Sequence, residues 1–354
     1  MKKIVLISFL GVIFFLVALT ATGYFYYNNS LKSKLPISDT TVFQVNSGAS
    51  IKEILENLEK EGLIKDGRIL SIYFKLNPEK ASSIKAGSFS LSPDNTHLDL
   101  IETLNDPTKD RNDISVLIQE GLRYDEIATI INTGFKSTKG SKFSEAEYIK
   151  IVENPDETNF TAEAASFLSK HKPSGRNLEG YLYPDTYYFS KDSTALDVIN
   201  KQIETFSSKL SEKNLTDIEG GNYSLYQYLI IASMIEREAF ASEEKPDIAD
   251  VIFKRLEKGI QGVKLLQIDA TLLYQAKNWE ADPFKLKAVD SPYNSYKYAG
   301  LPPTPISNPG VDSILAALYP SSNDYYFYLH DSNGVIHFAR NQSEHNANVN
   351  KYIN

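Results

Sequence analysis

The sequence predicts an α+β protein: an N-terminal transmembrane helix, a small βααβ domain, and then a larger mixed α+β domain. Three observations lead there. Residues 4–27 form an uncharged, mostly apolar run. Beyond residue 40 the hydrophobic period switches between 2 and 3.6, the signatures of strand and helix. Tyr223–Phe240 reads as one long apolar helix that ends in two glutamates. At 354 residues the chain is long enough for two or three domains with cores of their own.

Composition narrows the function classes. With 42% hydrophobic and 23% charged residues, the chain is an ordinary globular sequence. A net charge of −8 argues against a nucleic-acid partner, whose binding needs a basic face. There is no Cys, so disulfides, thiolate metal sites and a lipoprotein anchor are excluded. The five His are scattered, with no pair at i, i+4, and no metal or cofactor is expected. The 22 Tyr and 18 Phe either pack cores or stack on sugars, and composition does not choose between the two.

Taken in order, Met1-Lys2-Lys3 precedes the apolar run, which is long enough to span a hydrocarbon core. Tyr24–Tyr27 form an aromatic belt at the far interface, and Lys2 and Lys3 keep the N-terminus cytoplasmic. The run exceeds a usual signal-peptide core and its candidate cleavage site is poor, which favours an uncleaved anchor over a cleaved signal. Residues 1–27 are thus the cytoplasmic start and anchor, and 28–40 a tether. The small domain covers 41–106. Val42–Val45 alternates, and Ser50 with Glu53 makes a capping box for a helix carrying Ile51, Ile54, Leu55 and Leu58. A second helix covers Asp66–Lys75, a strand Ala86–Leu91 and a short helix Leu98–Leu104. Pro107–Asp113 reads as a linker, and the larger domain covers 114–354, starting with a strand over Ile114–Ile118. Gly48 followed by Glu53-Ile54 is echoed by Gly121 followed by Glu126-Ile127, too few matches for a repeat.

In the helix Tyr223–Phe240, Leu225, Leu229, Ala232 and Ile235 or Glu236 share one stripe. Glu238 lies about two hundred degrees round from Glu236, so at most one of them faces a given cleft. A carboxyl group beside aliphatic side chains has its charged form disfavoured, which suits a general acid near neutral pH. The plainer alternative is that Glu236 ends the buried part of a core helix and points to water. Three further stretches combine Tyr, Asn and Pro: Asn177–Tyr187, Leu266–Thr271, and Ser291–Tyr296 running into Gly300–Gly310. Pro184 argues against a central strand in the first. The last loop is rigid and carries little to fill a core. Fixed loops with Tyr and Asn suit sugar recognition, or are simply turns. A helix from Pro246 to about Lys258 stops at Gly259. Tyr325–Leu329 and His337-Phe338 read as a closing hairpin, with His337 more a packed residue than a cleft residue. No phosphate-cradling loop, nucleophile elbow or metal-ligand cluster occurs.

Five motifs stand in order: Glu179-Gly-Tyr-Leu-Tyr-Pro-Asp-Thr-Tyr187, Ile231-Ala-Ser-Met-Ile-Glu-Arg-Glu238, Leu266-Gln-Ile-Asp269, Ser291-Pro-Tyr-Asn-Ser-Tyr296 and Gly300-Leu-Pro-Pro303. Together they resemble the endolytic murein transglycosylase (YceG-like) family over nearly the whole chain. Ile268 and Ala270 depart from the Thr and Pro frequent there. The βααβ order of 41–106 resembles a LysM-like domain. The resemblance implies a single-pass membrane protein, its catalytic domain outside the cytoplasm. It also implies cleavage of the MurNAc-β-1,4-GlcNAc bond of nascent strands, leaving 1,6-anhydroMurNAc ends. Glu236 is implied as acid, then base. Glu179, Tyr181, Asp185, Glu238, Gln267, Asp269, Tyr293 and Asn294 are implied as positioning or substrate-binding residues. The implied partners are peptidoglycan strands, the membrane and peptidoglycan synthases. A water-using muramidase and a non-catalytic wall-binding scaffold remain the alternatives.

Overall fold

Alternating stretches become short strands paired two by two, and the stretches of period 3.6 become helices. The computed structural model describes residues 18–46, 48–105 and 113–353. Most of the apolar run lies outside these residues, as does the linker before Asp113. Residues 18–31 form helix α1. Among the described residues no helix is long and apolar enough to cross a membrane. The contacts divide the chain into two compact units, Met1–Ile114 with Tyr188–Ser190, and Ser115–Tyr187 with Lys191–Asn354.

In the first unit β1 (Thr41–Val45) pairs antiparallel with β2 (Gly87–Leu91), Phe43 opposite Phe89. Both rings are fully buried. Helices α2 (Ile51–Lys60), α3 (Arg68–Leu76) and α4 (Pro78–Ser82) lie between the two strands in sequence, and α5 (His97–Asn105) follows. The Ser50 side chain caps α2 by accepting from the Glu53 N–H at 3.2 Å. Ile54, Leu55 and Leu58 then face a core shared with Leu63, Leu70 and Leu100. This is the amphipathic period made physical.

Further along the chain, β3 (Asp113–Leu117) pairs with β4 (Thr186–Ser190). Pro184 falls just before β4, where a missing N–H costs no ladder bond. Helices α6 (Tyr124–Lys136), α7 (Glu145–Glu153), α8 (Ala162–His171), α9 (Ala195–Lys209) and α10 (Glu212–Gly220) precede α11 (Leu225–Glu238). Then come α12 (Lys245–Glu257), α13 (Asp269–Gln275), α14 (Pro283–Leu286) and α15 (Val311–Leu318). The β5 (Phe327–His330) and β6 (Ile336–Ala339) hairpin and α16 (Gln342–Tyr352) close the chain.

Helix α11 starts at a Ser224–Gln227 capping box and is buried on every side from Leu225 to Ile235 except at Gln227. A single stripe was expected. The full circumference is buried because α12, α13 and α15 pack round it. The Gly300–Gly310 loop also differs from expectation, for Thr304–Gly310 are all buried. The backbone N–H of Ile306 donates to Ser233 Oγ at 2.9 Å, and the Tyr226 hydroxyl donates to the Pro303 carbonyl at 3.2 Å. Part of its backbone is paired with α11, and the fully buried Ile306 side chain joins the core there.

The helical layer offers a direct test. Tyr148 is fully buried and donates to Gln202 Oε1 at 2.7 Å, while Gln202 Nε2 has no partner. Tyr148→Phe leaves a second Gln202 atom unpaired and is expected to lower unfolding stability by about 2 kcal/mol, read as a lower urea midpoint at unchanged slope.

Candidate active site

The two glutamates that end α11 leave the helix in different directions. Glu236 Oε1 lies 3.2 Å from Lys245 Nζ, and its Oε2 accepts the Gly310 N–H at 2.9 Å. Lys245 is the first residue of α12 and Gly310 the N-cap of α15, so the carboxylate joins a side-chain ammonium from α12 to the N-terminal N–H of α15. Both side chains of the ion pair are below a tenth exposed. The expected aliphatic setting of Glu236 is therefore replaced by donors. Glu120 approaches the same point: a Cβ on Gly310 would overlap its carboxylate. Burial, and secondly the neighbouring Glu236, push the Glu120 carboxyl above the usual range.

Glu238 faces elsewhere. It lines a cavity of about 430 Å³ with Arg255, Gln267, Asp269, Tyr296 and Tyr328 among its walls. The Tyr328 hydroxyl donates to Glu238 Oε2 at 2.8 Å. Burial, first, and then the Asp269 charge push the Glu238 carboxyl up, while the Tyr328 bond, Arg255 and His330 pull it down. The group is walled by protein yet stays in touch with solvent through the cavity. Gln267 occupies the left-handed region at φ 54° and is pinned by its N–H to the Ser295 carbonyl at 3.1 Å. Asp269 Oδ1 accepts from the Tyr296 hydroxyl at 2.7 Å.

The remaining sequence candidates lie away from this cavity. Glu179 is fully buried and accepts from the Tyr124 N–H (3.1 Å), Asn308 Nδ2 (2.7 Å) and the Tyr274 hydroxyl (3.1 Å). Tyr181 is a core ring whose hydroxyl donates to the His171 carbonyl at 2.9 Å. Asp185 pairs with Lys209 at 3.0 Å at the entrance to β4. The Tyr293 hydroxyl bonds Thr304 Oγ1 at 2.8 Å beside the Tyr274 ring. Asn294 is buried and donates from Nδ2 to the Lys287 and Val289 carbonyls, at 3.0 and 2.7 Å. Its Oδ1 accepts the Tyr296 N–H at 3.0 Å, so it shapes the loop that presents Tyr296.

The structure adds residues that the sequence reading did not single out: Lys245, Arg255, Tyr296, Tyr328 and Glu120. Tyr296 closes a motif already noticed, but Arg255 sits inside an ordinary amphipathic helix and Tyr328 in a plain alternating strand. Only the fold brings them to Glu238. His337 pairs with Asp331 at 3.0 Å and stacks on Tyr352, away from the cavity. Among the described residues no group of His, Cys, Asp or Glu has a metal-holding arrangement.

The geometry defines an α+β protein with a polar cavity beside a half-buried carboxyl group at the end of its central helix. The YceG-like family model matches residues 43–351, and the chain belongs to that family. Its relatives include the endolytic murein transglycosylase of Bacillus subtilis, 32% identical over 94% of this chain and 90% of that protein. The protein of the same name from Streptococcus pneumoniae serotype 2 is also 32% identical, over 99% of this chain and 66% of its own length. A crystal structure of a YceG-like protein from Listeria monocytogenes matches with TM-score 0.57 at 30% identity, covering 89% of this chain and 99% of that one.

Glu179 makes a pH prediction. Burial pushes its carboxyl up to about 8 from the ordinary 4.5, against the pull of its three donors. Folding therefore favours the neutral form. That stabilisation is complete below the unfolded value and is lost as pH rises toward 8. The melting temperature of the wild-type chain should fall between pH 5 and 8. Glu179→Gln, which mimics the neutral acid, should show a flatter profile over the same window.

Proposed function

We propose that the chain is an endolytic peptidoglycan lytic transglycosylase in which Glu238, the second glutamate of the motif, is the acid. It is an enzyme of the lytic transglycosylase class. The observation that carries the assignment is the position of Glu238 in the cavity with Gln267, Asp269 and Tyr296, three residues of the shared motifs. Glu236, by contrast, is engaged by Lys245 and Gly310.

The geometry suits a one-acid mechanism. Tyr328 donates to Oε2 of Glu238, which leaves Oε1 to carry the proton into the cavity. That proton goes to the glycosidic oxygen between MurNAc and GlcNAc as the C1–O bond breaks. The 2-acetamido group stabilises the electron-deficient C1, an exception to the two-carboxylate rule. The sugar's own 6-hydroxyl then attacks C1, and Glu238, now a carboxylate, takes its proton. The product is a 1,6-anhydroMurNAc end, and the acid is regenerated without water. Glu236 acts as the residue that fixes the last turn of α11. Gln267, Asp269 and Asn294 position substrate or loop, and Glu179, Tyr181, Asp185 and Tyr293 hold the frame.

Further parts of the reading rest on the sequence. The uncharged run 4–27 after Lys2 and Lys3 supports a single-pass anchor with the enzyme outside the cytoplasm. We divide the chain at 41–106, a LysM-like domain, and 114–354, the catalytic domain, on the strand and helix order of the sequence. Cutting nascent strands near the membrane would end or trim their elongation, which makes peptidoglycan synthases natural partners.

Mass spectrometry of uncrosslinked glycan strands digested by the detergent-solubilised chain tests the assignment. Wild type should leave anhydro ends, and Glu238→Gln should cut slower by about a thousandfold. Glu236→Gln should keep anhydro cleavage within about tenfold but lose about 3 kcal/mol of stability, since Lys245 is left buried without its partner. The reverse pattern returns the acid to Glu236. Reducing ends would make the enzyme a muramidase, and no cleavage by wild type would favour a scaffold.

A further inference from the structure

The cavity carries a second carboxylate that the proton transfers above do not use. Asp269 opens α13, and its Oδ1 is held by the Tyr296 hydroxyl at 2.7 Å, with Lys287 Nζ at 3.7 Å. Lys287 also lies 4.3 Å from the Tyr296 ring. Asn294 fixes this arrangement through the Lys287 carbonyl and the Tyr296 N–H. The Asp269 side chain nonetheless stays 45% exposed while lining the same cavity as Glu238. One oxygen is thus immobilised by protein, and Oδ2 is left as the acceptor offered to a ligand. A carboxylate kept solely to balance Lys287 would not need a buried asparagine and a tyrosine hydroxyl to orient it.

We propose that Asp269 accepts the 2-acetamido N–H of the sugar whose glycosidic bond breaks, and so turns the acetamido carbonyl oxygen onto C1. The proposal rests on the reading of this cavity as the glycan-cleaving site. The bonds balance without any further reactant. As the Glu238 proton reaches the glycosidic oxygen and C1–O breaks, the acetamido oxygen bonds to C1 and its nitrogen takes up positive charge. A fixed carboxylate accepting that N–H stabilises the charge where it develops. The 6-hydroxyl oxygen then bonds to C1, its proton goes to Glu238, and the C1–acetamido oxygen bond breaks. Asp269 neither gains nor loses a proton.

The test is calorimetric binding, at mildly acidic pH, of two probes to the detergent-solubilised chain: the 1,2-thiazoline of N-acetylglucosamine, a bicyclic mimic of the intermediate whose protonated ring nitrogen has an N–H for Asp269 to accept, and chitotetraose. Asp269→Asn should weaken thiazoline binding by about tenfold or more, the loss of one charge-assisted hydrogen bond, and chitotetraose by less than about threefold. Asp269→Ser gives the same comparison should the asparagine variant not fold. Equal losses for both probes would mean that Asp269 is merely structural, and no loss, or no thiazoline binding by wild type, would overturn the proposal. Continued cleavage by Glu238→Gln would instead overturn the choice of acid, an outcome the binding ratio does not depend on.

Discussion

The second unit depends on one buried ionic contact, the Glu236 carboxylate between the Lys245 ammonium and the Gly310 N–H. It ties the C-terminal turn of α11 to the first residues of α12 and α15. The negative carboxylate lets a side-chain ammonium and a helix N-terminal N–H, both positive, approach the same point. Removing one member would leave the other buried and uncompensated, a cost of several kcal/mol. The contact therefore fixes where α11 stops, and with it the direction of the two residues that follow.

That direction matters because of the helical period. With Glu236 held toward α12 and α15, Glu238 must point to the other side, toward the β5–β6 hairpin and α13. Arg237, between them, lays its guanidinium 3.8 Å from the Trp279 ring centroid, a third direction. Asn308 braces the same region from the loop side. It accepts the Gly180 and Leu182 N–H groups and donates to the Leu122 carbonyl and Glu179, using its whole side-chain capacity. A polar residue so completely satisfied serves as a core residue.

Much of this was legible from the chain. Helix α11, the Ser50 cap, the stop of α12 near Gly259 and the closing hairpin followed from period, capping and turn chemistry, which are local. The two-hundred-degree separation of Glu236 and Glu238 was also legible, and so was its consequence that they cannot share a cleft. Which of the two met the cavity was not. That depends on Lys245 and Arg255 of the next helix and on the distant Gly310 and Tyr328, none of which the motif itself contains. The Gly300–Gly310 loop misled for a related reason. It carries little to fill a core, yet Ile306 is fully buried and its backbone groups are paired by Ser233 and Tyr226, and no local pattern announces such long-range hydrogen bonds.

The surroundings of Glu238 account for how one group could serve as acid and then as base. Such a group must start protonated and must then survive as a carboxylate while a positive centre stands nearby. Burial and the Asp269 charge oppose ionisation at the start. The Tyr328 hydroxyl and Arg255 favour the carboxylate once it forms. Arg255 is kept from collapsing onto it, because its Nε donates to the Tyr326 carbonyl and its Nη1 to the Leu266 carbonyl. A guanidinium free to swing would close into a permanent ion pair with Glu238 and hold the carboxyl in its charged form. Anchored to two backbone carbonyls, it tempers the shift and leaves the proton available. Burial and the Asp269 charge thus weigh against the Tyr328 hydroxyl, the tethered Arg255 and His330 in setting the ionisation of Glu238.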